Sequence, residues 1–151
     1  MTNTSDFDRV KTANKSDLDR AKEIRGSHSV AFVKGEISRV FDGRGVSPLI
    51  SIIDSGEDFN GFSVADLIIG KAAAMLMTIL GVTAVYGEVM STAGYEYLTS
   101  RGITAEYGTL TEMIVNRVGT GRCPMETAVE NISDPHDGLI AMKKRLAELK
   151  K

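Results

Sequence analysis

SVADLIIGKAAAMLMTILGVTAVYGEVMSTAGYEYLTSRG, residues 63–102, decides the fold. Ser63 followed three residues later by Asp66 has the form of a capping box ahead of an apolar run. Leu67, Ile68, Ala72, Met75, Leu76 and Ile79 then recur at helical spacing, which predicts a long helix from Val64 to Leu80 stopped at Gly81. Ala72, Ala73 and Ala74 keep one side of that helix slim enough for a sheet to approach closely. Residues 82–90, VTAVYGEVM, are β-branched and almost continuously apolar, as in a strand covered on both faces. A polar turn at Ser91-Thr92 leads into a second helix, Ala93 to Arg101, closed by Gly102. The expectation is a helix–strand–helix unit. Glu88, Ser91 and Thr92 fall at the carboxyl end of its strand, where open α/β sheets bind ligands.

Working outward, Ser16 caps a short helix from Asp17 to Arg25 with Gly26 as its stop. Two strand-like runs, Ser29–Val33 and Glu36–Phe41, flank Lys34-Gly35 and read as a hairpin. Ser47 and Pro48 open a helix that ends before Gly56. Beyond the central unit come a strand from Ile103 to Tyr107 and a further short strand from Met113 to Asn116. A glycine-rich turn at 119–124 leads into a helix over 125–131, and a last helix from Pro135 reaches about Glu148. The predicted architecture is a three-layer α/β/α sandwich with a mixed sheet of about five strands, in one domain over 16–151 preceded by a mobile polar lead over 1–15.

Composition narrows the function classes. The chain has 151 residues, 42% hydrophobic and 25% charged, with a net charge of −2. That charge offers nothing to track a phosphate backbone, so nucleic acid is a poor partner. The single cysteine, Cys123, excludes an internal disulfide and a multi-cysteine zinc site. The amino terminus is polar, and the longest apolar run, Leu67 to Leu80, is too short for a bilayer, so a cytoplasmic location is expected, with no membrane partner. No cofactor motif is present: Gly119-Thr120-Gly121 lacks the spacing and the Lys-Ser/Thr end of a P-loop.

The segments ADLIIGKAAAMLM, VYGEVMS, GITAEYGTL and NRVGTGRCPMETAV, within roughly Ser29 to Lys143, resemble the bacterial and archaeal family known as domain of unknown function 1893. The resemblance implies a cytidine-deaminase-like fold. Zinc deaminases carry a ligand and a catalytic glutamate as H-x-E at one helix start and P-C-x-x-C at the next. Here the first helix start is expected at Val64-Ala65-Asp66 and the second at Ser91-Thr92-Ala93-Gly94. Neither holds a His or Cys, so no zinc is expected and deaminase chemistry is not implied. Asp66 would stand where the glutamate does.

Each candidate residue has a functional and a structural reading. Cys123, at a helix start beside Arg122, is either an activated thiol or a small packing residue. Gly70 and Lys71, in the most apolar helix, are either an anion contact or a close-packed glycine with a snorkelling lysine. Asp66 is either a base or a cap, and Glu88 either a functional carboxylate within a buried strand or a solvated one at its mouth. Ser91 and Thr92 either cap a helix or meet an anion there. Two functions follow. One is a module binding a nucleobase, nucleotide or anion through Gly70, Lys71, Ser91, Thr92 and Arg122. The other is a metal-free enzyme with Cys123 as nucleophile and Glu88 or Asp66 as acid–base. A third, an oligomerising structural subunit, draws on the apolar helix faces.

Overall fold

A computed structural model of the chain describes residues 16–116 and 118–150. The elements run α1 (Asp17–Arg25), β1 (Val30–Lys34), β2 (Ile37–Phe41), α2 (Ser47–Ser55), β3 (Ser63–Ile69), α3 (Lys71–Leu80), β4 (Ala84–Ser91), α4 (Thr92–Ser100), β5 (Thr104–Thr111), α5 (Pro124–Val129) and α6 (Pro135–Leu149). The five strands form one sheet in the order β2-β1-β3-β4-β5. β1 is antiparallel to both of its neighbours, and β3, β4 and β5 are parallel. This is the mixed five-stranded α/β sandwich that the sequence predicts. The lead predicted over 1–15 lies outside the described residues.

The predicted long helix is corrected. Residues 63–69 are a central strand, and only 71–80 are helical. Val64, Leu67 and Ile68 satisfy helical spacing, but an apolar run of seven residues satisfies a buried strand equally well. The break is Gly70, extended at φ −101° and ψ −171°. Ser63 therefore caps nothing; it sits in β3 opposite Val33 and Ala84. Asp66 is a strand residue between Val30 and Gly87. The central unit is consequently strand–helix–strand–helix–strand. Two right-handed crossovers marching the same way along a sheet put α3 and α4 on one face. Met113–Asn116, read as a strand, contributes only an isolated bridge from Val115 to Arg122.

The thick layer holds α2 to α6. Its core joins Phe32, Leu49, Phe59, Met75, Leu76, Met77, Met90, Leu98, Val129 and Met142. Phe32 and Phe59 stack with ring centroids 4.2 Å apart. The opposite face carries α1 alone, whose Leu18 and Ala21 pack on Val33, Ala65 and Tyr86. Ser16 caps α1 by accepting from the Asp19 N–H, and the Gly35 N–H donates to Asp17 at the other end of β1. α1 is thus laid against β1 with Arg25, its last residue, toward the carboxyl ends of β3 and β4. Nine residues do not cover the whole of that face. Leu67 and Ile68 in the central strand β3 remain 43% and 53% exposed, unusual where a parallel strand is expected to be covered on both sides. No described helix is long and apolar enough to cross a membrane.

Candidate functional site

The predicted site residues separate into two groups around the carboxyl edge of the sheet. One group gathers at the start of α3. The Glu126 carboxylate reaches from α5 to this helix start and accepts from the backbone N–H of Lys71 and of Ala72, each at 2.8 Å. Glu126 is only 8% exposed. The amides that α3 would offer to an external anion are held by the protein's own carboxylate. Gly70 is shaped by this contact: a Cβ there would lie 2.5 Å from the Glu126 carboxyl carbon. Lys71 Nζ donates to the Glu130 carbonyl (3.1 Å), and Arg122 pairs with the Glu130 carboxylate at 2.9 Å. Both predicted cations are thereby turned onto α5. Sequence reasoning misses Glu126 and Glu130. Their position four apart, after Cys123-Pro124, is the one signal that could have found them.

The start of α4 adjoins this group. Ser91 Oγ accepts from the Gly94 N–H at 3.0 Å, as its capping reading predicts, and Thr92 Oγ1 donates to the Thr111 carbonyl. A Cβ on Gly94 would sit 2.9–3.1 Å from the Ile69 and Gly70 backbone, so the two helix starts touch through bare main chain. Behind them, Asn116 accepts from the Thr120 N–H and its own N–H donates to the Gly121 carbonyl. That turn is closed on itself.

Cys123 is the residue before α5, half-buried against the main core, with its N–H donating to the Ile114 carbonyl. α5 is only six residues long. In native protein Cys123 is expected to react with iodoacetamide several-fold more slowly than in the unfolded chain at about pH 7.5. Faster native labelling would instead mark an activated thiol.

The second group lies under the carboxyl end of α1. Glu88, with its side chain half-exposed, accepts from the Tyr86 hydroxyl at 2.8 Å. Arg25 Nη2 is 4.0 Å from Glu88 Oε1, and Arg25 Nη1 donates to the His28 carbonyl at 3.0 Å. The Arg25 side chain is 12% exposed, and its buried Nε has no hydrogen-bond partner among the described residues. Asp66 is 9% exposed and accepts from the Leu67 N–H at 2.7 Å. Burial pushes its carboxyl up to about 7, against the opposing pull of the Leu67 and Ile68 amides and the Arg25 charge. Lys22 lies over the Tyr86 ring and 4.0 Å from Glu106. Sequence reasoning misses Arg25 because a basic residue in a last helical turn reads as dipole compensation.

Glu88 thus meets Arg25, whose charge also acts on Asp66, whereas Lys71, Arg122 and Gly70 share α5. Cys123 stands beside the second of these sets. No group of three or more His, Cys, Asp or Glu placed to hold a metal occurs among the described residues. The helix start predicted at Val64-Ala65-Asp66 is at Gly70-Lys71-Ala72 instead. Two surface cavities among the described residues lie elsewhere. One, of about 350 Å³, runs between β2 and α2 and is lined by Phe41, Asp42, Ser47 and Ser51 among others. The other, of about 310 Å³, is lined by Asp58, Asn60 and Gly81 among others.

Comparison with known proteins adds a family. No curated protein matches the chain. A crystal structure of a DUF1893 family protein from Thermotoga maritima superposes with a TM-score of 0.75 at 21% identity, covering 87% of this chain and 88% of that one. The family described as Domain of unknown function (DUF1893) matches residues 21–146, a span that takes in both groups of site residues, and the chain belongs to that family.

Proposed function

We propose that the protein is a small-molecule-binding module, on a cytidine-deaminase-like framework without its zinc ligands, whose ligand docks at the carboxyl ends of β3 and β4. The observation that carries this reading is the Arg25 guanidinium, buried with an Nε unpartnered among the described residues and only loosely held by Glu88. A buried guanidinium with a donor to spare lies at that edge under the half-covered sheet face, and Asp66, a buried carboxyl pushed up to about 7, stands in the neighbouring strand β3. Leu67 and Ile68 supply apolar surface beside them, and Glu88 an accessible acceptor. Gly70, Lys71, Ser91 and Thr92 border the same edge from the other side of the strands.

The charges favour one part of the predicted ligand range. Arg25 and Lys22 face Glu88 and Glu106. That balance does not suit a polyphosphate, and at α3 Glu126 already holds the amides. It suits a planar, uncharged or singly charged compound with both donors and acceptors, a nucleobase or nucleoside rather than a nucleotide.

Thermal-shift screening with nucleobases, nucleosides, nucleotides and simple anions tests this. A ligand at a hundred times its dissociation constant adds about 2.7 kcal/mol of stability. The expected result is a shift with a nucleobase or nucleoside that Glu88→Gln weakens and Lys71→Ala/Arg122→Ala leaves alone. A shift removed only by the Lys71 and Arg122 changes would move the site to α5. No shift with any compound would overturn the reading.

A further inference from the structure

The sheet ends on two unlike edges. β2, five residues long, carries Arg39, which pairs with Glu57 and lies over the Phe41 ring. β5 is eight residues long, Thr104–Thr111, and contains no lysine, arginine or proline. Among the described residues it pairs with β4 alone. Its outer row of N–H and C=O groups is therefore open, and residues 106–110 are exposed throughout. Edge strands are ordinarily blunted by a basic side chain, a proline, a bulge or a cover, because an open main-chain row is a template for another strand. Glu106 is the one charge within β5, and Lys22 lies 4.0 Å from it on the α1 side. Exposed apolar side chains flank the same edge: Tyr95, Tyr107, Leu110, Met113 and Val115. Tyr95 and Tyr107 meet edge to face with ring centroids 5.8 Å apart.

We propose that β5 is a pairing edge for a second copy of this chain, joined antiparallel about a two-fold axis perpendicular to the sheet, so that two five-stranded sheets become one. A strand turned about such an axis complements itself, since each outward N–H meets a C=O of the copy. The charges at its ends agree with that direction. Arg101 precedes β5 with its guanidinium on the Ser133 carbonyl and the Tyr97 ring, and no carboxylate stands within ion-pair distance of it among the described residues. Glu112 follows β5 and has no ion-pair partner among the described residues. Antiparallel pairing draws Glu112 of each copy toward Arg101 of the other, whereas parallel pairing would set like charge beside like. On this axis residues of one sheet face stand opposite each other, so the centre falls on a residue of β5. Glu106 is excluded because it would oppose itself. Tyr107 or Gly108 at the centre leaves Glu106 opposite a glycine or a leucine. An eight-residue edge about 26 Å long and about 10 Å deep offers about 260 Å² by itself, whereas each partner in a standard interface buries about 800 Å². Tyr95, Leu110, Met113 and Val115 supply apolar surface toward the difference, and a concentration-dependent dimer is the form expected.

A perpendicular axis keeps each sheet face on its own side, so both α1 helices lie on one face of the joined sheet. The strip over β4 and β5 that α1 leaves uncovered then becomes the floor of a trough with one α1 on each side and Tyr86, Glu88 and Glu106 on the floor. The small-molecule site proposed above lies along that trough. This consequence rests on that reading, and the pairing of the edges does not.

Sedimentation velocity of the full chain from about 1 to about 200 μM tests the pairing. The expected result is a reversible passage from one chain to two within that range. Tyr107→Lys and Thr109→Lys each bring two like charges to the axis and should weaken the pairing by about tenfold or more. Ile37→Lys, on the opposite edge strand β2, should leave it unchanged. A chain that stays single throughout overturns the proposal, as does a dimer that Ile37→Lys breaks or that both β5 variants leave intact. Should the β5 variants fail to fold, hydrogen exchange of wild type decides. The β5 amides should gain protection from the low to the high end of that range while the β2 amides stay as they are, and β5 amides indifferent to concentration overturn the pairing. A failed ligand screen beside a β5 dimer would remove only the use of the trough.

Discussion

Glu126→Ala should lower the unfolding free energy in urea by about 3–5 kcal/mol. Two charge-assisted bonds to the Lys71 and Ala72 amides are lost, and the start of α3 is left buried and uncapped. That is a large share of the roughly 5–15 kcal/mol that holds an ordinary domain together. Glu126→Gln keeps an oxygen in place and should lose less, about 1–2 kcal/mol, by removing the charge at the helix start. Gly70 gives the prediction its discriminating arm. Its extended backbone suits alanine, so the cost of Gly70→Ala arises from a Cβ 2.5 Å from the Glu126 carboxyl carbon. That cost is expected at about 2–3 kcal/mol in wild type and within about 0.5 kcal/mol of zero once Glu126 is replaced by alanine. Equal costs in both backgrounds would show that the carboxylate is not what demands glycine.

This contact also shows where the sequence is legible. Caps and stops depend on a residue and its near neighbours, so Ser16, Gly26, Gly56, Ser91, Asp134 and Pro135 are readable in place. The hairpin is readable for the same reason, since a two-residue turn fixes its own register. Residues 63–69 fail because their apolar spacing satisfies two periods at once, and the choice is made by β1 and β4, strands distant in the chain. The total of five strands holds with one member exchanged: 63–69 takes the place expected of 113–116. Glu126 fails in a different way. A glutamate in the first turn of a six-residue helix looks like dipole compensation for that helix, and only the folded chain shows that it serves another helix fifty-four residues earlier.

The site residues divide along the same line. Lys71, Gly70, Ser91 and Arg122 do gather at one edge, Ser91 because it follows a strand as read, and Gly70 and Lys71 because the helix expected from Val64 starts only there. Sequence alone does not supply which of them are already satisfied. Arg122 and Lys71 are drawn onto α5, and the under-satisfied cation is Arg25, far from Glu88 in the chain and brought to it by the packing of α1 against β1 and β3.

Asp66→Asn should change the pH dependence of stability more than its value at any one pH. The folded carboxyl titrates at about 7 against an ordinary 3.8. Between those values the folded chain keeps a proton that the unfolded chain has released, so the unfolded state binds fewer protons and stability falls as pH rises. The contribution is intact below about pH 4, is lost progressively up to about pH 7, and amounts to about 4 kcal/mol if nothing in the fold relaxes. The asparagine side chain of the variant does not titrate. Variant and wild type should therefore unfold at similar urea concentrations near about pH 4 and separate steadily above it, with the variant the more stable at about pH 8. Asp42 and Asp134, whose carboxyls are held below the usual range by the His28 side chain and by the Asp137 amide respectively, change their contributions at lower pH and cancel in the difference between the two proteins. Arg25 sets the size of the gap. Its charge favours the ionised form of Asp66, so Arg25→Gln should steepen the fall in wild type while leaving the pH dependence of Asp66→Asn unchanged. Parallel curves for wild type and Asp66→Asn between about pH 4 and about pH 8 would mean that Asp66 is ionised in the fold throughout, and that its burial is balanced by partners stronger than two backbone amides.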